Sequence, residues 1–295
     1  MHKNQTMEIL FISLLYIVGL FGITLIYNPI YNLINIEGMQ RELLTIYILS
    51  FVLMVFISIF SLVFKKENIY RLFWNIVPTY SAILFSIKLN IISNGFVIVM
   101  LVAIAIWTIT SIINWIFQYQ ENDKDNLKYN SLKEKHPHTW WLIIFLLYII
   151  LPTGALLIGM LPSLLYIASF TTEVMPTLST WLGLLFIVIG IIVKLLASCQ
   201  KLKYNHQDKN DEFIQIGLWK KSRHPDYFGE LLFWVGIFLM GSSFYGDNTW
   251  VTIFSPIIMF LYLVAFNLRL EEASLLKNNP IYKVYLEKTN QLFPF

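Results

Sequence analysis

The chain has 295 residues, of which 57% are hydrophobic, 16% aromatic and only 13% charged, whereas a soluble globular chain carries about 25% charged residues. So few charges cannot cover a water-facing surface, and a net charge of +3 leaves no large footprint for nucleic acid. The single cysteine, Cys199, excludes an internal disulfide and any cysteine-cluster metal site, and reads as a packing residue.

A membrane-crossing helix needs about 20 mostly apolar residues. Ile9–Tyr27 and Leu43–Phe64 meet that need without a single charge. The apolar runs predict an all-α polytopic bundle of about eight spans, at residues 7–27, 43–64, 72–93, 96–117, 139–159, 178–198, 227–244 and 249–267. No small-residue cleavage site follows the first run, so it is expected to be a retained helix. Residues 161–176 are apolar but interrupted by Pro162, Glu173 and Pro176, and are expected to form a re-entrant or interfacial segment.

The basic residues set the orientation. With eight spans, Lys65, Lys66 and Arg71, then Lys124, Lys128, Lys133 and Lys135, then Lys201, Lys203, Lys209, Lys220, Lys221 and Arg223, then Arg269, Lys277, Lys283 and Lys288 all fall on one side. Only Arg41 and Lys88 fall on or near the other. Both termini are therefore expected in the cytoplasm. The first four spans carry almost no buried ionisable group, and the part from about Asn114 onward concentrates the polar residues at helix ends; N-terminal helices over 1–95 and a chemistry-bearing part over 96–295 are expected.

The densest constellation is Gly217-Leu218-Trp219-Lys220-Lys221-Ser222-Arg223-His224-Pro225-Asp226-Tyr227-Phe228-Gly229-Glu230. Pro225 suits the first turn of a helix, where it has no N–H to lose. Ser222 or His224 is placed near the cap, and Asp226 and Glu230 fall in turns where negative side chains suit the helix dipole. That helix start, with Arg223, Lys220 and Lys221 beside it, suits a phosphate group at the membrane surface. Arg223, Tyr227 and Glu230 share a face if Arg223 is already helical. A carboxylate one turn inside a span is a site candidate. The plainer alternative stays open: the charges anchor the helix at the headgroups and Glu230 pairs with a lysine. Further on, Arg269 and Glu272 are three residues apart and are expected to pair, with Tyr282 and Tyr285 beyond them; an interfacial salt bridge with snorkelling aromatics is the favoured reading there. His136 and His138 are two apart across a proline, not a helical metal pair, so no metal is expected. No dinucleotide glycine fingerprint, phosphate loop or nucleophile elbow occurs.

The block from Gly217 to Glu230 resembles the signature of bacterial DUF1295 membrane proteins, which belong with the C-terminal domain of steroid 5-alpha-reductases. Pro280, Tyr282, Tyr285, Thr289 and Phe293-Pro294 resemble that family's closing motif, and Trp107, Asn114, Trp115 and Tyr129 its N-terminal one. The resemblance implies a multi-pass protein of the bacterial cell membrane that reduces a lipid or steroid-like enone with NADPH. It implies a cofactor site open to the cytoplasm, lined by Lys220, Arg223, His224, Asp226, Tyr227, Glu230, Arg269 and Glu272 and closed by Tyr282 and Tyr285. Tyr227, Glu230 and Tyr129 would carry catalysis, Glu230 holding the nicotinamide carboxamide and a tyrosine giving the proton. The chain departs from the pattern at Thr110, where the family has Arg, at Asp125-Asn126-Leu127-Lys128-Tyr129, where it has Glu-Asp-x-Arg-Tyr, and at Lys194 and Ser198, where it has Glu and Asp.

Two other readings compete. Isoprenylcysteine carboxyl methyltransferases share an Arg-His-Pro-x-Tyr block and a closing Glu-Glu, here Glu271-Glu272, for S-adenosylmethionine. A non-enzymatic scaffold or transporter is disfavoured because the polar residues gather at helix ends and not at the midplane, where transport sites lie.

Overall fold

The computed structural model describes residues 3–64, 66–119, 133–170, 175–205, 214–242, 249–278 and 282–294. Those residues form helices and turns, with one isolated bridge between Ser222 and Asn290. The helices are α1 (Lys3–Leu25), α2 (Tyr27–Leu33), α3 (Met39–Phe64), α4 (Glu67–Lys88), α5 (Gly95–Tyr119), α6 (Trp140–Ser169), α7 (Leu178–Asn205), α8 (Pro225–Gly241), α9 (Phe254–Leu268), α10 (Arg269–Asn278) and α11 (Tyr282–Lys288). Among the described residues five are long and apolar enough to cross a membrane: Thr6–Leu25, Met39–Phe64, Gly95–Ile116, Trp140–Ser169 and Leu178–Tyr204. The other three expected spans coincide with helices that fall below that measure. Helix α4 is long enough but less apolar, with Arg71, Asn75 and Pro78 in its first half, α8 has 17 residues, and α9 is shorter still.

One expectation is corrected. Residues 161–169 are not a separate interfacial segment but the last turns of α6, which runs unbroken from Trp140. The prolines do not stop it. Over Phe145–Ile150, just before Pro152, the helix widens to π geometry, a local adjustment that accommodates the missing N–H. Beside Pro162, the Ser163 hydroxyl donates to Met160 O at 2.6 Å.

The chain divides into two compact units, Met1–Leu157 with Phe170–Thr172, and Ile158–Ser169 with Glu173–Phe295. In the first, α3 packs against α1 and α4, and α4 against α5. Apolar tails are no reason for helices to associate in lipid, so small polar residues hold these contacts. The Ser50 and Ser81 hydroxyls meet at 3.3 Å, those of Thr79 and Thr108 at 2.6 Å, and Asn75 donates to Ser111 O at 3.4 Å. Tyr70 donates to Ile149 O, in the π segment, at 3.0 Å. At one end of this unit Lys66 pairs with Glu8 at 2.7 Å. At the other, Arg41 lies 3.9 Å over the Tyr31 ring and Lys88 3.8 Å over Tyr27. These are the two basic residues that break the charge asymmetry, and each rests on an aromatic face, as expected of cations anchored at an interface.

The second unit is built on the antiparallel pair α7 and α8. Here the backbones touch. A Cβ at Gly190 would stand 2.6 Å from Gly229 O, and one at Gly229 would stand 2.6 Å from Gly190 O. Seven residues along each helix the contact repeats between Gly183 and Gly236. A seven-residue repeat on two helices keeps one seam in register at a shallow crossing angle.

Candidate active site

The candidate residues gather in the second unit where α7 ends and α8 begins. Gly217 opens a 3-10 turn, Gly217–Lys220, with a φ of +56° that other residues rarely adopt. It lies against Gln200, whose Oε1 accepts from Leu218 N at 2.8 Å. Trp219 is buried and donates from Nε1 to Ala197 O at 2.9 Å, so both ends of the turn are tied to α7.

Residues 222–224 are held by the chain's last described segment. Arg223 N donates to Asn290 O at 2.9 Å, His224 N to Gln291 O at 3.2 Å, and the Ser222 hydroxyl to Leu292 O at 2.8 Å. Tyr285 donates its hydroxyl to Trp219 O, with Ser222 O at 3.4 Å. Burial pushes the Tyr285 phenol up to about 12, against the pull of the Arg223 charge, so it remains a donor at neutral pH. Tyr282 is buried beside it, ring centroids 5.6 Å apart.

Helix α8 begins at Pro225 with His224 as its cap residue. Pro225 is therefore at the first position, as its chemistry requires. Arg223 lies outside the helix, in the strand-like stretch paired with the tail. The expected shared face of Arg223, Tyr227 and Glu230 is therefore not formed. The N–H groups of Arg223 and His224, just before the helix start, are given to the tail carbonyls.

The side chains meet as follows. Glu272 Oε1 lies 3.2 Å from His224 Nε2 and 3.4 Å from Arg223 Nε. The His224 side chain is 3% exposed, and Arg223 and Glu272 are 11% and 13% exposed, so this is a shielded cluster. The expected Arg269–Glu272 pair is not formed: Arg269 is exposed, and Glu272 turns to partners in a drier setting, where charges attract more strongly. The Tyr227 ring stands edge-on to His224 at 5.6 Å, and its hydroxyl oxygen accepts from Asn267 Nδ2 at 2.9 Å. Asp226 is half-buried in the first turn of α8, whereas Lys220 is exposed at the rim. One turn further in, Glu230 is bound on both oxygens, Oε2 by Lys194 at 2.5 Å and Oε1 by Trp234 Nε1 at 3.0 Å. This is the lysine pairing left open as the plainer reading of Glu230.

Tyr129, Asn126 and Pro280 lie outside the described residues. Trp107, Asn114 and Trp115 belong to α5, in the first unit, and the Thr110 hydroxyl there donates to Trp107 O at 2.8 Å. Among the described residues no three His, Cys, Asp or Glu side chains group as a metal site needs.

Sequence reasoning missed Asn267, Trp234 and the tail carbonyls, and treated Lys194 only as a departure. Two signals were there to find. Lys194 is the sole charge in the run from Leu178 to Cys199, and Asn267 the sole amide from Phe254 to Leu268.

No curated protein and no solved structure matches the chain. A family model does match, over residues 57–289, from the middle of α3 through α11 and so across the site's described side chains, stopping just short of the tail carbonyls of residues 290–292. The chain thus belongs to the membrane-protein family described as protein of unknown function (DUF1295).

Proposed function

We propose that the protein is a membrane-embedded, NADPH-dependent reductase of a lipid or steroid-like enone. In this reading eight spans cross the bacterial cell membrane, both termini are cytoplasmic, and residues 96–295 form the reductase-like part with its cofactor site facing the cytoplasm. One observation carries it. Arg223 is largely buried beside His224, and its Nε lies 3.4 Å from Glu272 Oε1 as an ion pair without the geometry of a hydrogen bond. A shielded guanidinium held by a single loose ion pair suits a phosphate oxygen of a dinucleotide.

The residues present fit that cofactor. Arg223 and His224 would hold phosphate, with Lys220 and Arg269 at the exposed rim adding attraction. Asp226 and Glu272 would accept from hydroxyl or amide groups. Tyr282 and Tyr285 form the wall, Tyr285 through the backbone carbonyls it fixes. When bound, NADPH supplies the hydride that a polarised β-carbon accepts. Tyr227 would give the proton to the substrate carbonyl. The Asn267 amide that donates to its oxygen would hold the phenol in place for that step. Tyr129 is the second candidate, from the resemblance alone.

The test is thermal stability of the detergent-purified protein with NADPH and, separately, S-adenosylmethionine. A ligand at 100 times its dissociation constant stabilises by about 2.7 kcal/mol. NADPH is expected to stabilise, and Arg223→Ala to weaken its binding at least tenfold; stabilisation by S-adenosylmethionine alone overturns the reading. That second result would support a methyltransferase, which the inward turn of Glu272 toward Arg223 and His224 favours.

A further inference from the structure

Arg41 and Lys88, at the end of the first unit opposite Lys66 and Glu8, converge on one pair of rings. Gly38, with a φ of +70°, turns the chain between α2 and α3, and Arg41 comes back over a residue ten positions earlier. Its Nε donates to Tyr31 O at 2.8 Å, and its guanidinium lies 3.9 Å over the Tyr31 ring. Tyr31 stacks on Tyr27, ring centroids 6.0 Å apart. Lys88, in the last turn of α4, lies 3.8 Å over Tyr27. Two carboxylates are close by in the chain, yet among the described residues neither forms an ion pair with Arg41 or Lys88. Glu42 accepts from the Tyr27 hydroxyl and feels the Lys88 charge from a distance, and Glu37 is exposed.

Anchoring at an interface accounts for either cation alone. It does not account for three helices bringing two cations to one ring stack and leaving both without an ion pair. An aromatic face attracts a cation without using its N–H donors. With its face on Tyr31 and its Nε on a carbonyl, Arg41 keeps its two terminal nitrogens for a ligand, and these are the donors that match phosphate. The surface beside them is apolar: Leu33, Ile36, Met39 and Ile87 are all exposed. A free phosphate gains nothing from such a surface, whereas the acyl chains of a lipid lie against it. We infer that Arg41 and Lys88 form a site for the phosphate of an anionic glycerophospholipid in the leaflet at this end of the unit. Arg41 is the direct ligand and Lys88 adds charge. The site is independent of the reductase reading and of the residues around Arg223.

The experiment is native mass spectrometry of the full chain in detergent. It is titrated with phosphatidylglycerol, with diacylglycerol of the same acyl chains, which lacks the phosphate, and with glycerol 3-phosphate, which lacks the chains. Basic residues elsewhere also attract anionic lipid, so the variants decide. Arg41→Gln is expected to weaken phosphatidylglycerol binding by about fivefold, the contribution of one basic residue at an anionic headgroup, and to leave diacylglycerol binding within about twofold. Lys66→Met, at the opposite end, should leave phosphatidylglycerol binding within about twofold. If Arg41→Gln does not fold, Lys88→Met on α4 tests the same site, with an expected loss of about threefold. Unchanged phosphatidylglycerol affinity in a folded Arg41→Gln or Lys88→Met protein overturns the inference. So does an equal loss in Lys66→Met, which would show an attraction of general charge only, and so does a parent protein that retains no phosphatidylglycerol. Displacement of bound phosphatidylglycerol by an equal concentration of glycerol 3-phosphate overturns the assignment to a lipid.

Discussion

Tyr285 shows how a side chain can serve a site without facing it. Its hydroxyl bonds the backbone carbonyls of Trp219 and Ser222, on either side of the basic pair Lys220-Lys221. Tyr285→Phe should lower stability by about 1–3 kcal/mol, since it leaves carbonyls unpaired in a buried place, read as a fall in Tm. The pH dependence has a definite sign. The phenol ionises near 10.0 when unfolded and near 12 when folded. Its contribution is therefore complete below about pH 10, declines as the pH rises between those values, and is gone above the folded value. The decline in Tm between pH 10 and 12 should accordingly be shallower in Tyr285→Phe than in the parent. Asn267→Leu is a companion test: losing the amide bond to Tyr227 should cost about 0.5–1.5 kcal/mol in stability and slow proton transfer more than it weakens NADPH binding. At this scale sequence was informative about local chemistry, and Pro225 begins its helix where expected. It was silent on partners remote in the chain. Nothing near Glu272 indicates that it meets His224, 48 residues away, in preference to Arg269, its neighbour by three.

Helix contacts divide in the same way. Length and apolarity disclosed α1, α3, α5 and α7 because a long run almost without charges has no other stable form in lipid. They misjudged α6, because the helix-breaking power of proline in water was carried into a setting where the alternatives to helix are worse. The glycine seam was visible as spacing, Gly183 with Gly190 and Gly229 with Gly236, but spacing on one helix does not say which other helix it fits. Gly229→Ala is expected to destabilise by about 1–3 kcal/mol through overpacking, since the added Cβ would stand 2.6 Å from a carbonyl oxygen. Gly22→Ala in α1, where a Cβ meets nothing within 4 Å, should be neutral or stabilising by up to about 1 kcal/mol from helix propensity. Unfolding in mixed detergent micelles would measure both.

For the molecule as a whole, charge distribution says most about orientation. The opposite ends of the first unit differ in chemistry: Lys66 pairs with Glu8 at one, and Arg41 and Lys88 rest on tyrosines at the other. The proposed topology can be tested with single cysteines in a Cys199→Ser background. A cysteine at Lys221 should react with a membrane-impermeant thiol reagent only from the cytoplasmic side, and one at Glu37 only from outside. Labelling of both from one side would refute the arrangement.

The tail that holds Arg223 and His224 also bears on the order of assembly. Helices α7 and α8 are neighbours in sequence, so their seam can close as soon as both have been made. The carbonyls of Asn290, Gln291 and Leu292 are synthesised later, after α9, α10 and α11. Until then the Arg223 N–H depends on water, and the His224 N–H on water or the neighbouring Ser222 hydroxyl. That is tolerable at a membrane surface and would not be at its centre. In the proposed topology this late-closing joint lies at the wet end of the bundle, and a nascent chain has a docked helix pair well before it has a finished site.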